Sequence, residues 1–235
     1  PDSPMTNFTS AWAPASLSNL GPGFDALGVA LTKWGDNVSI ALLEGSDIKV
    51  SFAPGSKWSG PTEAKRNTAS VAAIEVAKMV GYQGGISIEI DKGFRAGSGL
   101  GSSAASAVAG AMAMNGATGE TLSKEDLIPA VMKGESIVSP SIHGDNVLPS
   151  LLGGFILLQS SSPERFRRIE GASDIFFAIV LPDLEVLTSN ARQHLPDSIP
   201  LDRAVDHAAR LGLLINSINT NDTAAIGALI MSDDL

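Results

Sequence analysis

The chain has 235 residues, 44% hydrophobic and 17% charged, which is enough apolar content for a packed core and too much for a disordered chain. Sixteen basic residues against 25 acidic give a formal net charge of −9, and a chain this acidic, without a basic stripe, is a poor candidate for holding a nucleic-acid backbone. The absence of cysteine excludes disulfides, thiolate metal sites and cysteine nucleophiles, and His143, His194 and His207 lack the spacing of zinc ligands.

No basic start followed by an apolar run is visible between Pro1 and Ala30. The longest apolar stretch, Val147–Leu158, is interrupted by Pro149, Ser150, Gly153 and Gly154, and falls short of the roughly 18 residues a membrane span needs. A soluble, cytoplasmic protein with no membrane or nucleic-acid partner is expected. Residues before Met5 are set aside from fold reasoning.

Short alternating apolar runs at Thr9–Ala15, Asp36–Leu43 and Ile48–Phe52 predict strands. Between the first two, Asn19-Leu-Gly-Pro-Gly-Phe-Asp25 must break regular structure. Asn67–Val80 has a helical apolar face that ends at Gly81, and Ile86–Ile90 alternates again as a strand. Ser102–Met114 is an alanine-rich helix. Ser123–Val138 is read as another, with Ser123 as its N-cap and Asp126 as an imperfect capping-box partner. Ser161–Arg168 is polar and charged, and Ile175–Leu181 is a dense apolar strand stopped by Pro182. Helices then follow at Leu201–Asn219 and Asn221–Met231. This order predicts an α+β fold in two units, residues 5–171 and 172–235.

The chemistry concentrates at Gly97-Ser-Gly-Leu-Gly-Ser-Ser-Ala-Ala105, between a predicted strand and a predicted helix. Such a junction gathers free backbone N–H groups at the positive end of a helix dipole, and glycines let an anion approach them. The spacing is not the G-x-G-x-x-G of a dinucleotide fingerprint, and it lacks the lysine of a Walker A loop. A lysine-free phosphate cradle or a tight turn without ligand remains. The adjacent hydroxyls Ser102 and Ser103 favour the cradle, since one can cap the helix while the other reaches Mg²⁺.

The run Gly97–Ser106 resembles the phosphate loop of the GHMP small-molecule kinases. Pro14–Gly28 (Pro-Ala-Ser-Leu-Ser-Asn-Leu-Gly-Pro-Gly-Phe-Asp-Ala-Leu-Gly), His143–Pro149 (His-Gly-Asp-Asn-Val-Leu-Pro) and Leu151-Leu-Gly-Gly154 are similar to the homoserine-phosphorylating branch of that family. One departure is Phe94-Arg-Ala-Gly97, where the family usually has Ile-Pro-x-Gly; Arg95 could add charge near the phosphates or face water. The fold implied by the resemblance is the two-domain GHMP arrangement. Its first half is like the second domain of ribosomal protein S5 and its second half is ferredoxin-like, here incomplete. The family's relatives continue past the point where this sequence stops, so a truncated or partly recorded form of a longer enzyme is expected.

The resemblance also implies ATP, Mg²⁺ and L-homoserine as cofactors and substrate, with O-phospho-L-homoserine as product on the route to threonine. A homodimer is expected. Ala96, Gly97, Ser98, Gly99, Leu100, Gly101, Ser102, Ser103 and Ala104 correspond to the nucleotide cradle, and Ser103 with Glu135 to the metal ligands. Asn67 corresponds to an adenine contact, with an N-cap as the equal alternative, and Lys92 to a nucleotide contact. Asn19, Asp25, His143 and Asn146 line the implied amino-acid pocket, and Arg192 grips the substrate carboxylate, a bidentate task suited to guanidinium. Asp25 either pairs with the ammonium or accepts from the hydroxyl. Asn146 stands where mevalonate-kinase-like relatives carry an aspartate base, so catalysis would rest on alignment, Mg²⁺ and amide donors. Other small alcohols (threonine, shikimate, mevalonate) and a non-catalytic ligand sensor are the alternatives; Ser103 and Glu135 speak against the sensor.

Overall fold

The computed structural model describes residues 7–138, 144–159, 162–171, 175–181, 195–196 and 198–231. Its spine is one long strand, β2 (Leu27–Leu43), to which every other described strand is joined directly or through a neighbour. Strand β1 (Thr9–Ser18) runs antiparallel along one edge of β2, with an irregularity between Pro14 and Ser16. The other edge of β2 is shared. Its C-terminal half pairs with β4 (Gly85–Asp91), which in turn pairs in parallel with β3 (Ile48–Phe52). Its N-terminal half pairs with β5 (Phe155–Gln159), followed outward by β6 (Ser162–Ile169).

The helices are α1 (Thr68–Met79), α2 (Ser102–Ala117), α3 (Ile128–Glu135), α4 (Gly144–Leu152), α5 (Leu201–Asn219) and α6 (Thr223–Ile230). The period-2 pattern of β2 and β4 sends Val38, Ile40, Ile86, Ile88 and Ile90 into a core closed by α1, α2 and α3. On the helix side this core is mostly alanine, which lets α1 and α2 approach closely. At Gly110 a Cβ would lie 2.4 Å from the Ala69 carbonyl oxygen, so only glycine fits there. A second cluster joins Leu27, Val29, Phe155 and Ile169 to Leu214 and Ile218 of α5 and Ile226 of α6.

Strand β5 is covered on both faces. Phe155 points to the α5 side, whereas Ile156 and Leu158 pack with Leu148 of α4. This explains why 155–159 reads as a continuous apolar run with no alternation.

Most predicted elements stand within a few residues of their expected limits, but the strand expected at Asp36–Leu43 begins already at Leu27, strand β5 is not among those expected, and other readings change as well. The expected helix Ser123–Val138 is helical only over Ile128–Glu135, because Pro129 has no N–H to bond the carbonyl of Glu125. The Ser123–Asp126 capping pair does form, on the turn that precedes α3. Residues 144–152, for which no element is expected, are helix α4 despite Pro149 inside it. The carbonyl of Asp145, which Pro149 cannot serve, abuts Gly28, where a Cβ would come within 1.8 Å of that oxygen. The polar run after residue 160 contains edge strand β6, whose arginines are compatible with an exposed edge. Ile175–Leu181 keeps the alternation of a strand, with Phe176 and Val180 exposed and Ile175, Phe177 and Ile179 turned inward. It pairs with no strand among the described residues, so its strand assignment fails.

Candidate active site

The glycine-rich segment leaves β4 and returns to the fold at α2. Phe94 and Leu100 pin its two ends, packing with Ala15 and Ala105 in a small apolar cluster, and the amide of Ser16 bonds the Leu100 carbonyl at 3.0 Å. Between the pins, Arg95, Ala96, Gly97 and Gly99 are exposed. Gly97, Gly99 and Gly101 all have positive φ, at 73°, 74° and 65°, a region that residues with a Cβ rarely enter. Gly101 is the N-cap of α2 and no side chain caps that end, so the amides of the first turn are left for a ligand or solvent. The Oγ atoms of Ser98 and Ser102 are buried with no hydrogen-bond partner among the described residues. Ala104 is fully buried and offers only backbone. An anion with several acceptor oxygens matches this donor set.

Ser103 lies one residue into α2, and its Oγ donates to Oε1 of Glu135, at the end of α3, at 3.0 Å. Glu135 is only 3% exposed. Thr68 at the start of α1 donates its Oγ1 to the Ser103 carbonyl at 3.1 Å, fixing that turn from the other side. One hydroxyl and one carboxylate form a hard oxygen pair that fits Mg²⁺, which keeps several waters and rarely has an all-protein cage. No group of three or more histidine, aspartate or glutamate side chains that could hold a metal occurs among the described residues.

Asn67 caps α1: its Oδ1 accepts from the Ser70 amide at 3.2 Å, and its Nδ2 donates to the Pro61 carbonyl at 2.8 Å. The N-cap role is therefore present in the structure. Lys92 lies behind the loop, its ammonium almost fully buried and bonded to Asp36 Oδ2, to Ser106 Oγ at 2.8 Å and to the Ser102 carbonyl at 3.4 Å.

On the other side of Gly101 is a polar cluster built from distant segments. Asn146, in the first turn of α4, accepts at Oδ1 from Ser16 Oγ and donates from Nδ2 to Ser18 Oγ, both at 3.0 Å. Gly101 touches this cluster directly, since a Cβ there would lie 2.3 Å from Ser16 Oγ and 2.9 Å from Asn146 Oδ1. Beyond β1, the turn through Gly21–Gly23 is closed by Asn19, whose Oδ1 accepts from the Asp25 amide at 2.8 Å. Asn19 and Asp25 both hold positive φ, at 56° and 52°, a strained setting that Asn and Asp tolerate best. His143 and Arg192 lie outside the described residues.

Asp36, Ser106, Ser16 and Thr68 join the site without having been singled out in the sequence. The first two carry a signal only once the register is known: β2 pairs antiparallel with β4 from Asn37 opposite Asp91, so Asp36 comes next to Lys92. Ser16 and Thr68 are small polar residues in apolar surroundings, and nothing in their local sequence separates them from turn or cap residues.

A mixed α+β fold in which a glycine-rich turn opens an alanine-rich helix is the fold of the GHMP kinases. The family described as GHMP kinases N terminal domain matches residues 67–154, which hold the cradle, Glu135 and Asn146. The chain is 38% identical over 219 residues to a homoserine kinase of Pyrococcus abyssi, covering 93% of this chain and 71% of that protein. It is 40% identical to one from Thermococcus gammatolerans, with 92% and 71% covered. A crystal structure of homoserine kinase from Cytophaga hutchinsonii superposes with a TM-score of 0.85 at 34% identity, over 100% of this chain and 74% of that one. The chain belongs to the homoserine kinase group of the GHMP kinases, a family that uses ATP. No helix among the described residues is long and apolar enough to cross a membrane.

Proposed function

We propose that the chain transfers the γ-phosphoryl group of ATP to the side-chain hydroxyl of L-homoserine, giving ADP and O-phospho-L-homoserine. The observation that carries the reading is the contact between Ser103 Oγ and Glu135 Oε1 at the mouth of the glycine-rich loop. A pure binding protein has no need of a buried carboxylate there. The loop amides and the hydroxyls of Ser98 and Ser102 hold the phosphates. Ser103 and Glu135 would hold Mg²⁺, which when bound neutralises charge developing on the phosphate oxygens.

In the reaction the homoserine oxygen bonds to the γ-phosphorus, the bridging bond to the β-phosphate breaks, and the hydroxyl proton is released. Asn146 orients and does not deprotonate: a neutral amide has no useful basicity, and both ends of its side chain are engaged by Ser16 and Ser18. A loose phosphoryl transition state asks little of a base, so alignment and preorganised donors can carry the rate. Asn19 shapes the substrate-side turn, and Asp25 supplies negative charge toward an amino-acid ligand. Arg192 is assigned to the substrate carboxylate and His143 to the pocket wall.

The test is a coupled ADP-release assay with L-homoserine, L-threonine, shikimate and mevalonate as acceptors. Homoserine should give the highest kcat/KM, while equal rates with mevalonate and homoserine would overturn the substrate assignment.

A further inference from the structure

We infer that Asp36 is a positioning residue for nucleotide binding, its buried carboxylate clasping the phosphate loop by both ends. The inference rests on the kinase reading above and adds a residue that this reading does not use. Asp36 is fully buried near the middle of β2. Its Oδ1 accepts from the amide of Gly93, where the loop leaves β4, at 3.1 Å. Its Oδ2 accepts from Ser106 Oγ, one turn into α2, at 2.6 Å. The same oxygen pairs with Lys92, whose ammonium also donates to Ser106 Oγ and to the Ser102 carbonyl. One carboxylate thus ties the residue entering the loop to the helix turn that receives it.

Stability alone gives little reason for such a pair, since a buried ion pair is often no more stabilising than apolar residues of the same volume. The loop gives a better reason. Three glycines at positive φ make residues 97–101 intrinsically free, and ordering them on ligand binding would cost conformational entropy. Fixing both ends beforehand lowers that cost. Lys92 completes the device, because an unpaired carboxylate beneath an anion site would repel the phosphates, and its ammonium cancels that charge.

The experiment measures MgADP affinity by calorimetry, together with Tm and the separate KM values for ATP and homoserine. Its variants are Ser106→Ala, which removes one arm and keeps the ion pair, and Asp36→Asn. Ser106→Ala should weaken MgADP binding about fivefold and raise the KM for ATP to match, with the homoserine KM within about twofold of the parent. Asp36→Asn should weaken MgADP binding more, by at least about tenfold, because losing the carboxylate's hold on Gly93, Ser106 and Lys92 together outweighs the added pull of an unpaired Lys92 ammonium on the phosphates. A merely structural role would lower Tm and the active fraction while leaving both KM values and the MgADP affinity of the folded fraction unchanged, and that result would overturn the clasp. If Asp36→Asn does not fold, Ser106→Ala decides alone. A parent protein that binds MgADP but does not phosphorylate homoserine would overturn the substrate assignment instead, and the affinity ratios would still judge the clasp.

Discussion

The two sides of the site are built by opposite means. Apart from Glu135, the side proposed to hold phosphate is nearly contiguous in sequence, from Lys92 to Ser106, and its groups are mainly backbone amides backed by alanine and pinned by Phe94 and Leu100. The substrate side joins β1, the Asn19–Asp25 turn and α4, and its described contacts are side-chain hydrogen bonds such as Asn146 to Ser16, 130 residues apart. Amides need glycine and close packing to be presented, so a short local pattern can encode them. Side-chain donors must be brought together by the whole sheet, so no local pattern does. The sides meet at Gly101, which starts α2 and touches both Ser16 and Asn146.

The largest effect should come from the phosphate side. Glu135→Gln keeps the shape of the side chain and removes its charge, and kcat should fall at least about a hundredfold with homoserine affinity little changed. Near-normal turnover of this variant at millimolar Mg²⁺ would show that Glu135 does not serve the metal. The junction comes next. In Gly101→Ala the new methyl must displace Ser16 Oγ or Asn146 and sit at a φ of 65°, so about tenfold should be lost from kcat/KM for both substrates together. A loss confined to ATP would mean that the two sides are not coupled through this glycine.

On the substrate side, Asn146→Asp should give no gain and about a threefold fall in kcat. A carboxylate so close to Gly101 repels phosphate and loses the donor that Ser18 now accepts from. A clear rise in kcat would establish that a base was the missing element.

The smallest effect lies outside both sides, in the turn before α3. The Ser123 hydroxyl, helped by the Ser123 amide, holds the Asp126 carboxyl below its ordinary range against a slight opposing effect of burial. A carboxyl lowered by folding adds stability above its unfolded pKa, and that stability is lost as pH falls through the folded value. Ser123→Ala should therefore move the Asp126 titration upward by NMR and flatten the acid limb of the stability curve, with kcat unchanged. A change in kcat would mean that this turn positions Glu135.

Much of this molecule was legible without coordinates. Ile48–Phe52 matches its predicted limits, and β4 and α5 lie where the periodicity marks them, because alternation and 3.6-residue patterns record which face is buried. Helices α1 and α2 were legible as elements, α2 from its alanine content, but the buried face of α1 is its alanine side (Ala69, Ala72, Ala73 and Ala77 with Val76), and Met79 of the apolar face read from the sequence is exposed. The glycine-rich turn announced itself for the same local reason, since positive φ and an open helix start require particular residues in adjacent positions. Helix α4 and strand β5 were hidden, because Pro149 and two glycines interrupt a run whose faces are both covered by distant elements. Ile175–Leu181 has the alternation of a strand, but pairing depends on a partner that its own sequence does not contain. Asp36 is the sharpest case. By itself it is one acidic residue at the edge of an apolar run, and only the register of β2 against β4 sets it beside Lys92, Gly93 and Ser106. Local sequence determined where backbone groups would be exposed to a ligand. Tertiary structure decided which side chains stand behind them, because hydrogen bonds between residues 36, 92 and 106 exist only after the chain has folded back on itself.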